Sequence, residues 1–266
     1  MLLRQNITIA IQAAIKAGKE IFRIYKDPKS DFFVEIKSDN SPLTIADKAA
    51  HNIIVRELEK TGIPILSEEG KTIPYVVRKH WKTFWLIDPL DGTKEFIKKN
   101  NEFTVNIALI ESGNPITGVI YVPVSKELYI GDIKTGAWKY KTIDEEISLV
   151  KVMLRGIRLP KNIQNNAYYV VGSRSHMSHE TEHYIKELKN KHKNIEIVSK
   201  GSSLKICMVA EGLANEYPRF GPTMEWHTAA GHAIANAAGK KLLLTDFSGE
   251  LVYNKKNLLN PYFIVK

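Results

Sequence analysis

The sequence predicts an α+β fold, with helices and sheets stacked in five layers or two lobes, and three observations carry that reading. Residues from about 103 to 152 run as successive short strands with turn signals at Gly113-Asn114-Pro115, Pro123 and Gly136, the alternation of an antiparallel sheet. Two amphipathic helical stretches precede them. After about residue 160, strands and helices alternate. At 266 residues and 44% hydrophobic side chains, the chain suffices for one large domain or two small lobes with a full core. It carries no internal repeat, low-complexity tract or obvious linker.

Each element has its own signal. Ile7, Ile11, Ile15, Phe22 and Tyr25 fall near helical spacing, which predicts a helix over residues 3–26, ended before Pro28. Residues 30–36 read as a short strand or arm. Thr44 with Asp47 has the spacing of a capping box at the head of a helix that runs to Gly62. Asp47 is therefore a cap, or a cap that also borders a site. Residues 63–66 read as a strand ending at Ser67-Glu68-Glu69-Gly70, and residues 84–87 as a buried strand. The second strand should stop at Asp88-Pro89, where proline cannot donate to a ladder. Lys94-Glu95-Phe96 can begin a helix. Strands follow at 104–111, 116–122, 127–133, 137–140 and 147–152. The later part reads as strand 167–172, helix 180–191, strand 195–198, helix 203–211, helix 225–238 and strand 242–244.

Composition removes several classes of function. Cys207 is the only cysteine, so neither a disulfide nor a cysteine zinc site can form within one chain, and its apolar setting predicts a core thiol. No apolar run approaches a membrane span, and the N-terminal stretch, with Arg4 and Lys16, lacks a cleavage signal, so a soluble intracellular protein is expected. The net charge of +9 is spread along the chain without a basic block. It suits a small polyanionic substrate, while no motif supports nucleic-acid binding.

The chemistry concentrates in Trp85-Leu-Ile-Asp-Pro-Leu-Asp-Gly-Thr-Lys-Glu-Phe96. Asp88 and Asp91 stand three apart across a turn, close enough that their carboxylates repel unless a cation lies between them, and hard divalent ions take oxygen ligands. Glu68 follows a strand end in the same way and is the candidate third acid. Gly92 and Thr93 open a segment whose amides can face an anion. Metal beside phosphate-binding amides points to phosphoryl chemistry. The same residues could also form a loop that merely turns the chain.

Together Glu68-Glu69, Asp88-Pro-Leu-Asp-Gly-Thr93 and Trp226-His-Thr-Ala-Ala-Gly231 resemble the lithium-sensitive, magnesium-dependent phosphomonoesterases of the inositol monophosphatase superfamily. Gly172-Ser-Arg-Ser-His176, Gly201-Ser-Ser-Leu-Lys205 and Tyr217-Pro-Arg-Phe-Gly-Pro222 resemble its CysQ-type 3′(2′),5′-bisphosphate nucleotidase branch. The likeness extends from Lys37 to Leu259-Asn-Pro-Tyr-Phe. It implies an αβαβα sandwich, with residues 1–155 as the metal-binding lobe and 156–266 as the substrate lobe. It implies two or three Mg2+ ions, with Mn2+ or another divalent ion as alternatives. Glu68, Asp88 and the Leu90 carbonyl would hold one ion, and Asp88 with Asp91 a second, completed at position 227. Amides of Gly92 and Thr93 would grip the scissile phosphate. Thr93, with Glu68 or with Asp47, would orient and deprotonate the attacking water. His176, Gly201, Ser202, Lys205 and Arg219 would surround the second phosphate and the adenosine. A monomer or homodimer is implied, cytoplasmic or loosely attached to the cytoplasmic face of the inner membrane.

One position departs from the family pattern, which has aspartate where this chain has His227. Histidine is a poorer Mg2+ ligand than a carboxylate and removes a negative charge. A shift towards Mn2+, Zn2+ or Co2+, impaired catalysis and an introduced substitution are the three explanations. His232, five residues on, reads as a packing or hydrogen-bonded histidine. The leading expectation is an enzyme converting 3′-phosphoadenosine 5′-phosphate, a by-product of sulfate assimilation and sulfo-transfer, to AMP and phosphate. An inositol or sugar monophosphatase and a degenerate nucleotide-binding protein are the alternatives. A nucleic-acid-binding module rests on charge alone.

Overall fold

Helix α1 (Leu2–Lys26) follows the predicted stripe, burying Ile7, Ile11, Ile15 and Ile21 and ending on Arg23 and Lys26, which suit its negative end. The computed structural model describes residues 2–28, 32, 34–36, 42–142, 146–161, 163, 166–173 and 178–266. Of the expected arm at 30–36, residues 30, 31 and 33 lie outside the described residues, and β1 (Glu35–Ile36) pairs antiparallel with β2 (Pro42–Leu43). Helix α2 (Ile45–Leu58) starts at the Thr44 cap, passes through a 3-10 turn at Glu59–Thr61, and closes on Gly62 at φ 67.

A seven-stranded sheet forms the centre, with β3 (Ile65–Ser67), β4 (Thr83–Asp91), β5 (Thr104–Glu111), β6 (Asn114–Val122), β7 (Glu127–Asp132), β8 (Gly136–Lys141) and β9 (Ile157–Leu159) side by side in that order. Only β3 and β4 run parallel. Short helices α3 (Tyr75–Arg78), α4 (Thr93–Ile97) and α5 (Leu149–Arg155) interrupt the run.

The structure departs from the sequence expectation at two places. The strand expected to stop at Asp88-Pro89 continues to Asp91. Pairing steps from Asp88 opposite Asn106 to Asp91 opposite Thr104, so Pro89 and Leu90 lie across from Val105 alone. This bulge excuses proline from the ladder and re-aims the strand end. The strand expected over 147–152 is helix α5 instead. Ser148 Oγ accepts from the Lys151 amide at 3.2 Å, and Leu149 and Val152 face inward at helical spacing.

Beyond the sheet, β10 (Tyr168–Ser173) pairs in parallel with β11 (Ile195–Lys200), flanking α6 (His179–Lys189) in sequence. Helix α7 (Leu204–Glu211), β12 (Tyr217–Arg219), α8 (Glu225–Ala237), β13 (Leu242–Leu244) and β14 (Phe263–Val265) complete the chain, with β14 between β12 and β13. Alternation along β4 divides the core: Trp85 and Ile87 pack with α1 and α2, while Phe84 and Leu86 pack with α7 and α8. Along β10, Val171 faces α7 and Val170 faces Ile185 and Leu188 of α6. The layers are therefore helix, sheet, helix, sheet, helix.

Helix α8 lies unusually close to the large sheet. A Cβ on Gly118 would sit 2.1 Å from the Ala230 carbonyl oxygen, and one on Gly131 would sit 2.3 Å from Ile234 Cα. Only glycine permits that approach. It brings the N-terminus of α8 to the bulged end of β4.

Candidate active site

Three chain segments converge at this point. Glu68, just past β3, donates its amide to the Ile87 carbonyl at 3.1 Å and is pinned beside β4. The bulge presents Asp88 and Asp91, and α8 presents His227. Glu68, Asp88 and His227 each place one ligand atom within 4.8 Å of the others. His227 Nε2 lies 3.7 Å from Glu68 Oε2 and 3.9 Å from Asp88 Oδ2.

Asp88 is 1% exposed. Its Oδ1 accepts from the Leu90 amide at 3.2 Å, whereas its buried Oδ2 accepts no hydrogen bond. Burial, reinforced by the carboxylates of Glu68, Asp91 and Asp47, pushes its carboxyl well above the usual range. An unpaired buried carboxylate oxygen among other acids is the donor set of a hard divalent cation, and the residues fit such an ion. Burial alone would lower the His227 pKa, but Glu68 and Asp91 outweigh it and raise it. A second proton on the ring would nevertheless set Nδ1–H against the Met224 amide, which already donates to Nδ1 at 3.0 Å.

Both readings of Asp47 hold at once. Its Oδ2 accepts from the Thr44 amide at 2.7 Å and the Thr44 hydroxyl at 2.5 Å, and its Oδ1 lies 3.2 Å from Thr93 Oγ1. The cap thus fixes the carboxylate that fixes the threonine at the head of α4. Gly92 adopts φ 96, and a Cβ there would meet the Glu102 carbonyl at 3.0 Å.

Asp91 and His227 also line a cleft of about 540 Å³, whose walls include Lys94, Lys98, Lys200, Lys205 and Arg219. Lys205 Nζ donates to the Ser202 carbonyl at 2.7 Å, and burial, opposed by Asp91, lowers its pKa to about 8. Arg219 Nη2 donates to the Pro222 carbonyl at 3.1 Å, while its Nε is buried with no partner. Ser202 Oγ lies 3.3 Å from Thr104 Oγ1. The Gly201 amide donates to Glu102 Oε2 at 2.8 Å, so it is already engaged. His176 lies outside the described residues.

Sequence reasoning overlooked Ser203 and Asn106. Ser203 Oγ donates to Asp91 Oδ2 at 2.6 Å, and Asn106 Nδ2 reaches Ser203 Oγ at 2.9 Å and Asp91 Oδ2 at 3.3 Å. The signal was Asn106 itself, a polar residue inside the apolar run of β5. His232 is hydrogen-bonded as expected, to Tyr253 OH at 3.0 Å and Glu250 Oε2 at 2.9 Å. Cys207 is buried on α7, as its apolar setting predicted.

The model of the inositol monophosphatase family matches residues 2–262. The chain belongs to this family. The resemblance drawn from the motifs is borne out, together with the layered fold. The 3′(2′),5′-bisphosphate nucleotidase CysQ of Salmonella typhimurium is 47% identical over 259 residues, covering 96% of each chain. CysQ of Haemophilus influenzae is 32% identical over 268 residues, 99% of this chain and 92% of that one. The crystal structure of CysQ from Bacteroides thetaiotaomicron, a bacterial family member, superposes with a TM-score of 0.92 at 55% identity, covering 99% of this chain and 97% of that one. Among the described residues no helix is long and apolar enough to cross a membrane.

Proposed function

We propose that the chain is a divalent-metal-dependent phosphomonoesterase that hydrolyses 3′-phosphoadenosine 5′-phosphate to AMP and phosphate. The carrying observation is the junction of two unlike surfaces, an acid cluster around Asp88 and a cleft walled by Lys205 and Arg219. The first suits a phosphate that is cleaved and the second a phosphate that is only held. The relatives named 3′(2′),5′-bisphosphate nucleotidase support a substrate of this class.

Glu68, Asp88, the Leu90 carbonyl and Asp91 would hold Mg2+ or another divalent ion, which when bound neutralises phosphoryl oxygens and acidifies the attacking water. Asp47 holds the Thr93 hydroxyl, whose lone pairs then face the water, and Glu68 is the carboxylate that takes its proton. Amides of Gly92 and Thr93 receive the phosphoryl oxygens. The water oxygen bonds to phosphorus as the P–O bond to the 3′-oxygen breaks, and the 3′-oxygen takes a proton from solvent, leaving a 3′-hydroxyl on AMP. Lys205 and the free Nε of Arg219 bind the 5′-phosphate. Ser202 offers a neutral hydrogen bond, and Gly201 serves by leaving room, since a Cβ there would lie 2.9 Å from Glu95 Cγ. In this reading residues 1–155 hold the metal and 156–266 the nucleotide, with His227 reaching across.

Phosphate release from 3′-phosphoadenosine 5′-phosphate and from inositol 1-phosphate, with Mg2+ or Mn2+ and with added Li+, tests the proposal. Preference for the nucleotide and inhibition by Li+ are expected. Cleavage of the inositol ester alone overturns the substrate. Nucleotide binding without turnover under either ion favours a degenerate binding protein.

A further inference from the structure

We infer that His227 stands in the acid cluster as a hydrogen-bond donor and not as a metal ligand, so that this chain holds one divalent cation fewer than the same site would with aspartate at 227. At the N-terminal end of α8, as in any helix, the first amides lack intrahelical acceptors. The Met224 amide finds its acceptor in His227 Nδ1, at 3.0 Å. The His227 amide donates back to the Met224 carbonyl at 3.1 Å, so backbone and ring are fixed together.

A neutral imidazole carries one N–H and one lone pair. With the lone pair of Nδ1 committed to the Met224 amide, the proton resides on Nε2. Nε2 is the atom aimed at the acids, 3.7 Å from Glu68 Oε2 and 3.9 Å from Asp88 Oδ2. Both neighbours are acceptors, and the buried Asp88 Oδ2 accepts no hydrogen bond.

A metal-bound histidine has the reverse polarity: its ligating nitrogen offers a lone pair, and its other nitrogen donates to a carboxylate, carbonyl or water. Here a donor faces the second nitrogen. Ligation through Nε2 would oppose two N–H groups at Met224, and turning the ring over would break the same cap. Replacing a carboxylate by an N–H also removes one negative charge from the group that must balance the cations. Glu68, Asp88 and Asp91 remain for one ion, and the donor at 227 takes part of the charge that a further ion would take. His227 is thus a positioning residue for the carboxylates.

This inference rests on the reading of the cluster as a metal site, but its test needs no turnover and therefore fails separately from the nucleotidase proposal. The protein labelled with 15N-histidine is followed by long-range 1H–15N correlation while Mg2+ alone is added, and ion stoichiometry is measured calorimetrically for the wild type, His227→Asp and His227→Asn. The expected result is the Nε2–H tautomer for His227 with and without Mg2+, with His227→Asp binding one more ion per chain than the wild type and His227→Asn matching the wild type. An Nδ1–H tautomer in the loaded protein, or equal stoichiometry in the wild type and His227→Asp, would overturn it. The His227→Asn comparison keeps the stoichiometry interpretable if the aspartate variant folds poorly.

Discussion

Glu225, at the head of α8, and Asp88, at the bulged end of β4, are both buried carboxylates, yet their surroundings are opposite. Glu225, 0% exposed, accepts from the amides of Asn254 and Lys255 at 2.7 and 3.0 Å and from Lys255 Nζ at 2.6 Å. Asp88 accepts from one amide and otherwise faces other acids and, at 3.9 Å, His227 Nε2. A buried acid that has its donors ties the C-terminal loop to α8, whereas one that lacks them is held by the rest of the fold against its own electrostatics. Burial alone would not separate the two, and partner counting does.

The largest effect should come from exchanging the two acids for their amides. Asp88→Asn is expected to lower turnover by about 1000-fold, while the melting temperature of the metal-free protein stays level or rises. Glu225→Gln should cost about 2–4 kcal/mol of stability, discounted because Lys255 is partly exposed, with activity per folded molecule retained. Chemical denaturation alongside kinetics reads both. A stability loss for Asp88→Asn as large as that for Glu225→Gln would erase the contrast.

A second effect is pH-dependent. The folded chain keeps the Asp88 proton to higher pH than the unfolded chain, whose value is near the ordinary 3.8. Folding therefore takes up a proton between those values, and stability falls as pH rises through that window, with the loss complete above the raised value. Wild type minus Asp88→Asn in chelator should show this slope, and Mg2+ should flatten it. A difference independent of pH would contradict it.

The basic wall sharpens the contrast from the other side. Lys205, with its pKa near 8, loses its charge within a degree of alkalinity that leaves ordinary lysines protonated. AMP affinity should fall as pH rises past about 8 and stay level further in Lys205→Arg. Lys205→Ala should raise KM by about tenfold to hundredfold with a smaller change in kcat. The smallest effect is expected for Thr44→Ala, about 1 kcal/mol from the lost cap of α2, with a further drop in kcat because Asp47 is released.

Much of this was legible in the sequence because the signals were local. The strands at 104–111 and 127–133 announced themselves by alternation and by glycine and proline turns, and Thr44 with Asp47 by spacing. Pro89 misled because a bulge, a property of two paired strands, decides whether proline is tolerated. Residues 147–152 misled because a β-branched run read as strand was overridden by the Ser148 cap and the Gly156 stop. The acids at Glu68, Asp88 and Asp91 could be proposed from strand ends. The Ser203 and Asn106 contacts to Asp91, and the amide that orients His227, are pairings across distant segments that spacing does not encode.

The most direct measurement is phosphate release from 3′-phosphoadenosine 5′-phosphate as Mg2+ is titrated into chelator-treated wild type and Asp88→Asn. Release that requires Mg2+ in the wild type and is nearly absent in the variant at every concentration is the predicted result. Equal release in chelator, or a variant that matches the wild type, would contradict the account of Asp88 as the centre of a metal-dependent phosphatase.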